Sequence, residues 1–218
     1  MNSFEYKYAQ LFDKRKYSEY YYSLIITKHP LISSFNPKDK YNSQSIKICL
    51  LFLSFASSLT VNSLFFTDDT MHKIYEDEGV FNFVYSLPKI IYSTLISSLI
   101  SIIINKLALT DEVILNINKE KNIEDIKERA AKAKKYLMIK IILFFIIGFI
   151  LLGIYLFYIG CFCAVYTNTQ FYMIKDTIIS FSFSLIIPFI KYLVPCIIRN
   201  KSLQKPGECL YNLSKIFQ

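Results

Sequence analysis

The chain has 218 residues, enough for one domain, and 53% of them are hydrophobic. Its formal net charge is +8 at pH 7, with 25 Lys and Arg against 17 Asp and Glu. A basic balance can indicate nucleic-acid binding, but here the basic residues border long apolar runs and accompany no recognition motif. The pattern therefore argues against a nucleic-acid partner and favours a membrane protein with anionic lipid at its surface.

The amino-terminal segment, residues 1–47, is rich in aromatic and basic side chains. From Phe4 onward the aromatic residues recur at helical spacing, and aromatic rings beside lysines suit the headgroup zone of a bilayer. We therefore predict one interfacial or cytoplasmic helix over residues 3–27, ended by the His29-Pro30 step. Docking of the same helix on a partner protein is an equal alternative. No cleavable signal peptide is expected, because no apolar stretch follows a basic start.

Four apolar runs reach the length of about 20 residues that a membrane-spanning helix needs. A chain this short could not cover four such helices with other protein on all sides. The sequence therefore predicts an all-α polytopic membrane protein, with a four-helix bundle as its transmembrane domain, residues 48–198. The predicted spans are residues 48–66, 83–104, 137–160 and 178–198. Residues 199–218 form a tail.

Small polar residues recur every four positions in three of these spans, where they share one helix face. Such residues let helices approach closely and hydrogen-bond across the contact. A compact packing seam is the favoured interpretation, and a polar path for ions or small solutes is the alternative. The third span has no such polar row and only three small residues, Gly148, Gly153 and Gly160. It is therefore expected to face lipid more than the other three spans do. The candidate packing residues are Ser54, Ser58, Asn62, Ser93, Ser97, Ser101, Ser180 and Ser184.

The loop between the second and third spans, residues 105–136, is strongly charged. Thr110 followed by two acids is a suitable helix start, and basic residues gather just before the third span. We predict a cytoplasmic helical hairpin whose second arm runs straight into that span. The hairpin is either a solvated charged surface or a docking surface for a partner.

Basic residues alternate across the predicted loops. Eight lie in residues 1–47 and eight in 105–136, whereas 67–82 and 161–177 hold one each. Positively charged loops stay on the cytoplasmic side of a membrane. The alternation therefore predicts four crossings of a membrane, with both termini cytoplasmic.

Two lysines fall within the predicted spans. Lys89 lies near the outer end of the second span, and we expect its ammonium group to reach the headgroups through its methylene stem. Lys191 lies past the middle of the fourth span, where a lysine costs about 2.5–3.5 kcal/mol on insertion scales. No carboxylate lies within any predicted span. Lys191 therefore either snorkels to the inner surface or faces a polar seam, and it is the candidate functional residue within the membrane.

Enzyme chemistry has no support in the sequence. There is no P-loop, no G-x-S-x-G, no HExxH and no glycine-rich dinucleotide turn. His29 and His72 fall on opposite sides of the membrane, and the five cysteines form no zinc-binding spacing. We expect no catalytic residue, no metal site, no cofactor and no enzymatic activity.

The stretches TMHKIYEDEGVFNFVYSLPKIIYSTLISSLI and YIGCFCAVYTNTQFYMIKDTIISFSFSLIIPF resemble a four-span membrane module found in many uncharacterised protist membrane proteins. There the module often forms the C-terminal part of longer chains, and the resemblance covers residues 24–198. The family has no assigned activity, so the resemblance implies no catalytic residues. Because the module occurs in protist proteins, we expect a eukaryotic plasma membrane or endomembrane as the location. The order of spans around a basic helical loop is also similar to the non-channel part of polycystin-1-like proteins.

Three functions are compatible with these features. The favoured one is a membrane anchor or assembly subunit that contacts the bilayer and other membrane subunits or a second copy of itself. The alternative is part of a transporter or ion channel, indicated by Lys191, Pro188 and Pro195. A membrane enzyme is disfavoured for want of a catalytic constellation. A truncated copy of a longer protein is a further possibility.

Overall fold

The computed structural model describes residues 6–37, 42–78, 82–110, 114, 123–204 and 207–216, and this part of the chain is helical with no strand. The architecture is an all-α polytopic bundle, as the sequence predicts. Its helices are, in chain order, α1 (Tyr6–Phe12), α2 (Tyr17–Lys28), α3 (Pro30–Phe35), α4 (Gln44–Leu64), α5 (Asp68–Glu76), α6 (Phe83–Ala108), α7 (Ile123–Val165), α8 (Gln170–Lys191), α9 (Leu193–Gln204) and α10 (Glu208–Ile216).

Among the described residues, four segments are long and apolar enough to cross a membrane. They are α4, α6, residues Ala130–Val165 of α7, and Gln170–Gln204, which joins α8 to α9. Only 6% of the most apolar stretch in the third segment is buried, compared with 44% in the first. The third span therefore presents most of its surface outward, as its lack of a polar stripe predicts.

The helices extend beyond the apolar runs that reveal them. α6 continues to Ala108, four residues past the predicted end of its span. α8 begins at Gln170, eight residues before the predicted start of the fourth span. α7 is one helix of 43 residues, so the second arm of the predicted hairpin does continue into the third span. The first arm falls mostly outside the described residues.

The chain forms two compact units, which we call the terminal unit (Met1–Asp39 and Ser184–Gln218) and the central unit (Lys40–Phe183). In the central unit, α4 packs against α6 and α7. Two apolar clusters hold these helices together. The first contains Ile46, Leu53, Ile104, Ala108, Phe144 and Tyr155, and the second contains Phe66, Phe162 and Met173.

In the terminal unit, α2 packs against α3 and α9, and α10 packs against α9 and α1. The amino-terminal and carboxyl-terminal helices therefore belong to one body. The core of this unit consists of Tyr20, Leu24, Ile25, Tyr192 and Cys196.

The prediction of a single helix over residues 3–27 is wrong. α1 ends at Phe12 and α2 begins at Tyr17. The Glu19 carboxylate accepts a hydrogen bond from the Lys16 backbone N–H at 3.0 Å, which satisfies an amide at the start of the new helix. The predicted end of the helix before the His29-Pro30 step agrees with the structure, because α2 ends at Lys28.

Candidate functional site: a polar seam with a buried ion pair

The central unit contains a seam of small polar side chains contributed by α4, α6 and α8. In each of these helices serine and asparagine recur at four-residue spacing, so they lie in one row along a single face of that helix. Five of the predicted packing residues in this unit are almost fully buried. They are Ser58, Asn62, Ser93, Ser97 and Ser180.

Asn62 of α4 is the centre of this seam. Its Nδ2 donates to Ser180 Oγ at 2.6 Å and to the Ser58 carbonyl at 3.0 Å. The Thr94 hydroxyl of α6 lies 3.4 Å from the Ser180 carbonyl. Three helices therefore meet at Ser180. Asn62 Oδ1 is buried and accepts no hydrogen bond within the described part of the chain.

The remaining seam hydroxyls divide into two groups. Ser54 and Ser101 hydrogen-bond to each other across α4 and α6 at 2.9 Å. Ser93 and Ser97 instead donate to carbonyls of their own helix, at 3.1 and 2.7 Å. Hydroxyls of the second kind contribute by being small, since they let the neighbouring backbone approach.

A buried ion pair lies on the same seam. The Lys89 ammonium of α6 contacts the Asp176 carboxylate of α8, and the two side chains are only 11% and 5% exposed. The ammonium also lies 3.8 Å from the centre of the Phe66 ring, where a cation is attracted to the aromatic face. The expectation that Lys89 snorkels to the headgroups is therefore wrong, because a carboxylate holds it inside the bundle.

Asp176 escaped the sequence analysis because it precedes the apolar run and was assigned to a loop. The stripes themselves carried the signal. Lys89 lies four residues before Ser93, and Asp176 lies four residues before Ser180. Extending both rows by one helical turn places a cation and a carboxylate on facing sides of the seam. A charged residue in register with a buried stripe indicates a partner across the contact.

A small cavity of about 30 Å³ lies beside the ion pair. Its polar lining includes Thr70, Asn82 and Ser86, together with Lys89 and Asp176. A cavity needs about 10–15 Å³ of such volume to hold one water molecule, so this one has room for water. The cavity can therefore hydrate the pair, but it is too small for an organic solute.

Two predicted residues, Ser184 and Lys191, belong to the terminal unit. Lys191 is exposed at the last position of α8, and its Nζ lies 5.8 Å from the centre of the Tyr192 ring. Ser184 is half-buried. The role assigned to Lys191 as a membrane-embedded functional residue stays a prediction.

A second charged cluster lies in the terminal unit. The Asp13 carboxylate accepts from Arg15 Nε at 2.7 Å and Nη2 at 2.6 Å, and Arg199 Nη2 lies 2.5 Å from the same carboxylate. The Arg199 guanidinium also stacks 4.0 Å from the centre of the Tyr20 ring. Burial acts to raise the pKa of Asp13, but the hydrogen bonds from Arg15 and the charge of Arg199 outweigh it and hold this pKa below its usual value.

Within the described residues, no three His, Cys, Asp or Glu side chains are placed to hold a metal ion. Comparisons of this chain with protein-family models, with curated proteins and with solved structures find no match. The resemblance to a protist four-span module therefore stays a prediction, and what the residues themselves support is a four-span membrane protein with an ion pair buried in its helix seam.

Proposed function

We propose that this protein is a membrane-embedded anchor or assembly subunit, with both termini on the cytoplasmic side. The observation that carries the proposal is the division of its surfaces. The polar groups of the central seam bond across the helix contact or to carbonyls of their own helix, whereas the third span offers a largely apolar surface to its surroundings. A solute path would instead require polar groups facing an open cavity.

The glycines of α7 support association with another transmembrane helix. A side-chain carbon at Gly148 would meet Leu53 at 3.7 Å, so this glycine lies at a contact within the unit. A side-chain carbon at Gly153 or Gly160 would meet no atom within 4 Å among the described residues. These two positions lie seven residues apart and so share a face. Small residues on an outward face permit close approach of a second helix, from another subunit or a second copy.

This proposal is testable with a photo-crosslinking residue at Phe157, which is 75% exposed one turn beyond Gly153. In native membranes we expect a protein adduct of defined size. The double substitution Gly153→Leu and Gly160→Leu should remove that adduct, because leucine keeps a partner helix away while the open space leaves the monomer folded. A matched probe at Ile103 of α6, 70% exposed, serves as the control for random collisions. Adducts of equal yield at both positions, or an adduct that survives the double substitution, would contradict the proposal.

A transporter or channel part is the second candidate, and the Lys89–Asp176 pair favours it. Ionisable residues inside a membrane often mark ion or proton pathways. Ion flux through reconstituted liposomes separates the two functions. The anchor proposal expects no flux above that of empty liposomes, whereas flux that disappears in Asp176→Asn would support the transporter.

A further inference from the structure

The fourth span contains an internal proline and one helix break within the terminal unit. Pro188 lies inside α8, where it has no N–H to give to the Ser184 carbonyl and its ring crowds the preceding turn. Helix α8 then ends at Lys191, and α9 begins at Leu193. Carbonyls at the end of a helix lack partners of their own, and the hydrocarbon layer supplies no water to replace them. A broken span therefore needs donors from elsewhere in the protein.

The amino-terminal segment supplies two such donors. His29 Nδ1 accepts from the Ile32 N–H at 3.3 Å, which leaves Nε2 to donate to the Leu185 carbonyl at 2.8 Å. The Tyr21 hydroxyl donates to the Phe189 carbonyl at 3.0 Å. His29 is only 1% exposed, and its ring centre lies 4.4 Å from that of Phe189. The two acceptor carbonyls stand on either side of Pro188.

The support is reciprocal. The Tyr192 hydroxyl, at the break between α8 and α9, donates to the carbonyl of Lys28 at 3.2 Å. Lys28 is the last residue of α2, so this bond satisfies a carbonyl at the end of that helix. Each segment therefore caps the terminus of the other. Around these bonds, Tyr20, Leu24 and Cys196 form the buried apolar core.

We propose that α2 and α3 form an intramolecular clamp on the fourth span. The clamp donates hydrogen bonds to the Leu185 and Phe189 carbonyls, which lie beside Pro188 and the helix break at Tyr192, and it holds this part of the span in place. Release of the clamp frees α8 and α9 to move about this point. The amino-terminal segment is then a working part of the membrane domain, which goes beyond the anchor function proposed above.

Cys196 provides a native reporter of this clamp, because it is 1% exposed beneath α2. The test uses the full chain in detergent with Cys196 as its only thiol, the other four cysteines being replaced by serine. The double substitution Tyr21→Phe and His29→Phe removes both donors and keeps an aromatic ring at each position. We expect thiol labelling of Cys196 to become faster by about tenfold or more. Tyr22→Phe, at the exposed neighbouring position, should leave the rate unchanged.

A second reporter separates release of the clamp from general unfolding. In a chain with Cys196→Ser and Ser93→Cys, the single thiol lies in the central unit at a position that is 1% exposed. The proposal expects this thiol to stay protected in the Tyr21→Phe, His29→Phe variant. Equal labelling of Cys196 in the double variant and in Tyr22→Phe would overturn the proposal. So would equal acceleration at both reporters.

Discussion

Lys89→Met is expected to destabilise the protein by about 3–5 kcal/mol, because it leaves the Asp176 carboxylate buried without its counter-ion. Asp176 is only 3% exposed, and the water that the adjoining cavity can hold carries no charge to replace the lost ammonium group. Asp176→Leu should have a similar effect for the reciprocal reason. The measurement is the free energy of unfolding in mixed detergent micelles, with unfolding monitored by circular dichroism.

The double variant distinguishes loss of pairing from loss of packing. Removal of both charges eliminates the unpaired ion, so Lys89→Met with Asp176→Leu should recover most of the lost stability. Lys73→Met is the matched control, since this lysine pairs with Glu76 and Asp77 on the exposed surface of α5 and should change stability little. Additive losses in the double variant would show that the two charges do not depend on each other.

Asp13→Asn should produce the second large effect, a loss of about 3–5 kcal/mol in the terminal unit. The substitution leaves the Arg199 guanidinium, which is 2% exposed, beside Arg15 without the shared carboxylate. Asp69→Asn, in the exposed first turn of α5, is the control and should have no measurable effect. Protease resistance of the two terminal segments, compared between these variants, measures the loss.

The same carboxylate determines a pH dependence. Because folding lowers the pKa of Asp13, its contribution is fully present above the unfolded value of 3.8 and is lost as the pH falls through the lower folded value. Protease resistance of the wild-type terminal segments should therefore fall on acidification below about pH 4. The Asp13→Asn profile should lack this component, and coincident profiles for the two proteins would contradict the role of Asp13.

The spans and the seam were predictable because both are local patterns. A run of about 20 apolar residues has the length needed to cross the hydrocarbon core of a membrane. Hydroxyl side chains four residues apart lie on the same face of an α-helix. The seam contacts Ser54–Ser101 and Asn62–Ser180 follow from such rows once the helices pack. Which two polar rows contact each other, however, depends on the order and register of the packed helices. The sequence of a single apolar run holds no information on either.

The helix limits and the ion pairs were not predictable from the apolar runs. α8 extends back to Gln170, and Asp176 in these added turns is buried against Lys89, a residue 87 positions away from it. Asp13, which lies between α1 and α2, is likewise paired with Arg199, far along the chain. A charged residue whose partner is distant in sequence is assigned to a loop, because its burial becomes evident only once the folded structure shows the partner.

The central claim, four crossings with both termini on one side, is tested most directly by thiol labelling of intact cells. Asp69→Cys in a chain whose native cysteines are serine places one thiol in the exposed first turn of α5. We expect an impermeant maleimide to label it from outside, while epitope tags at both termini become accessible only after the membrane is permeabilised. Accessibility of one terminal tag but not the other on intact cells would contradict an even number of spans, and with it the account of the bundle.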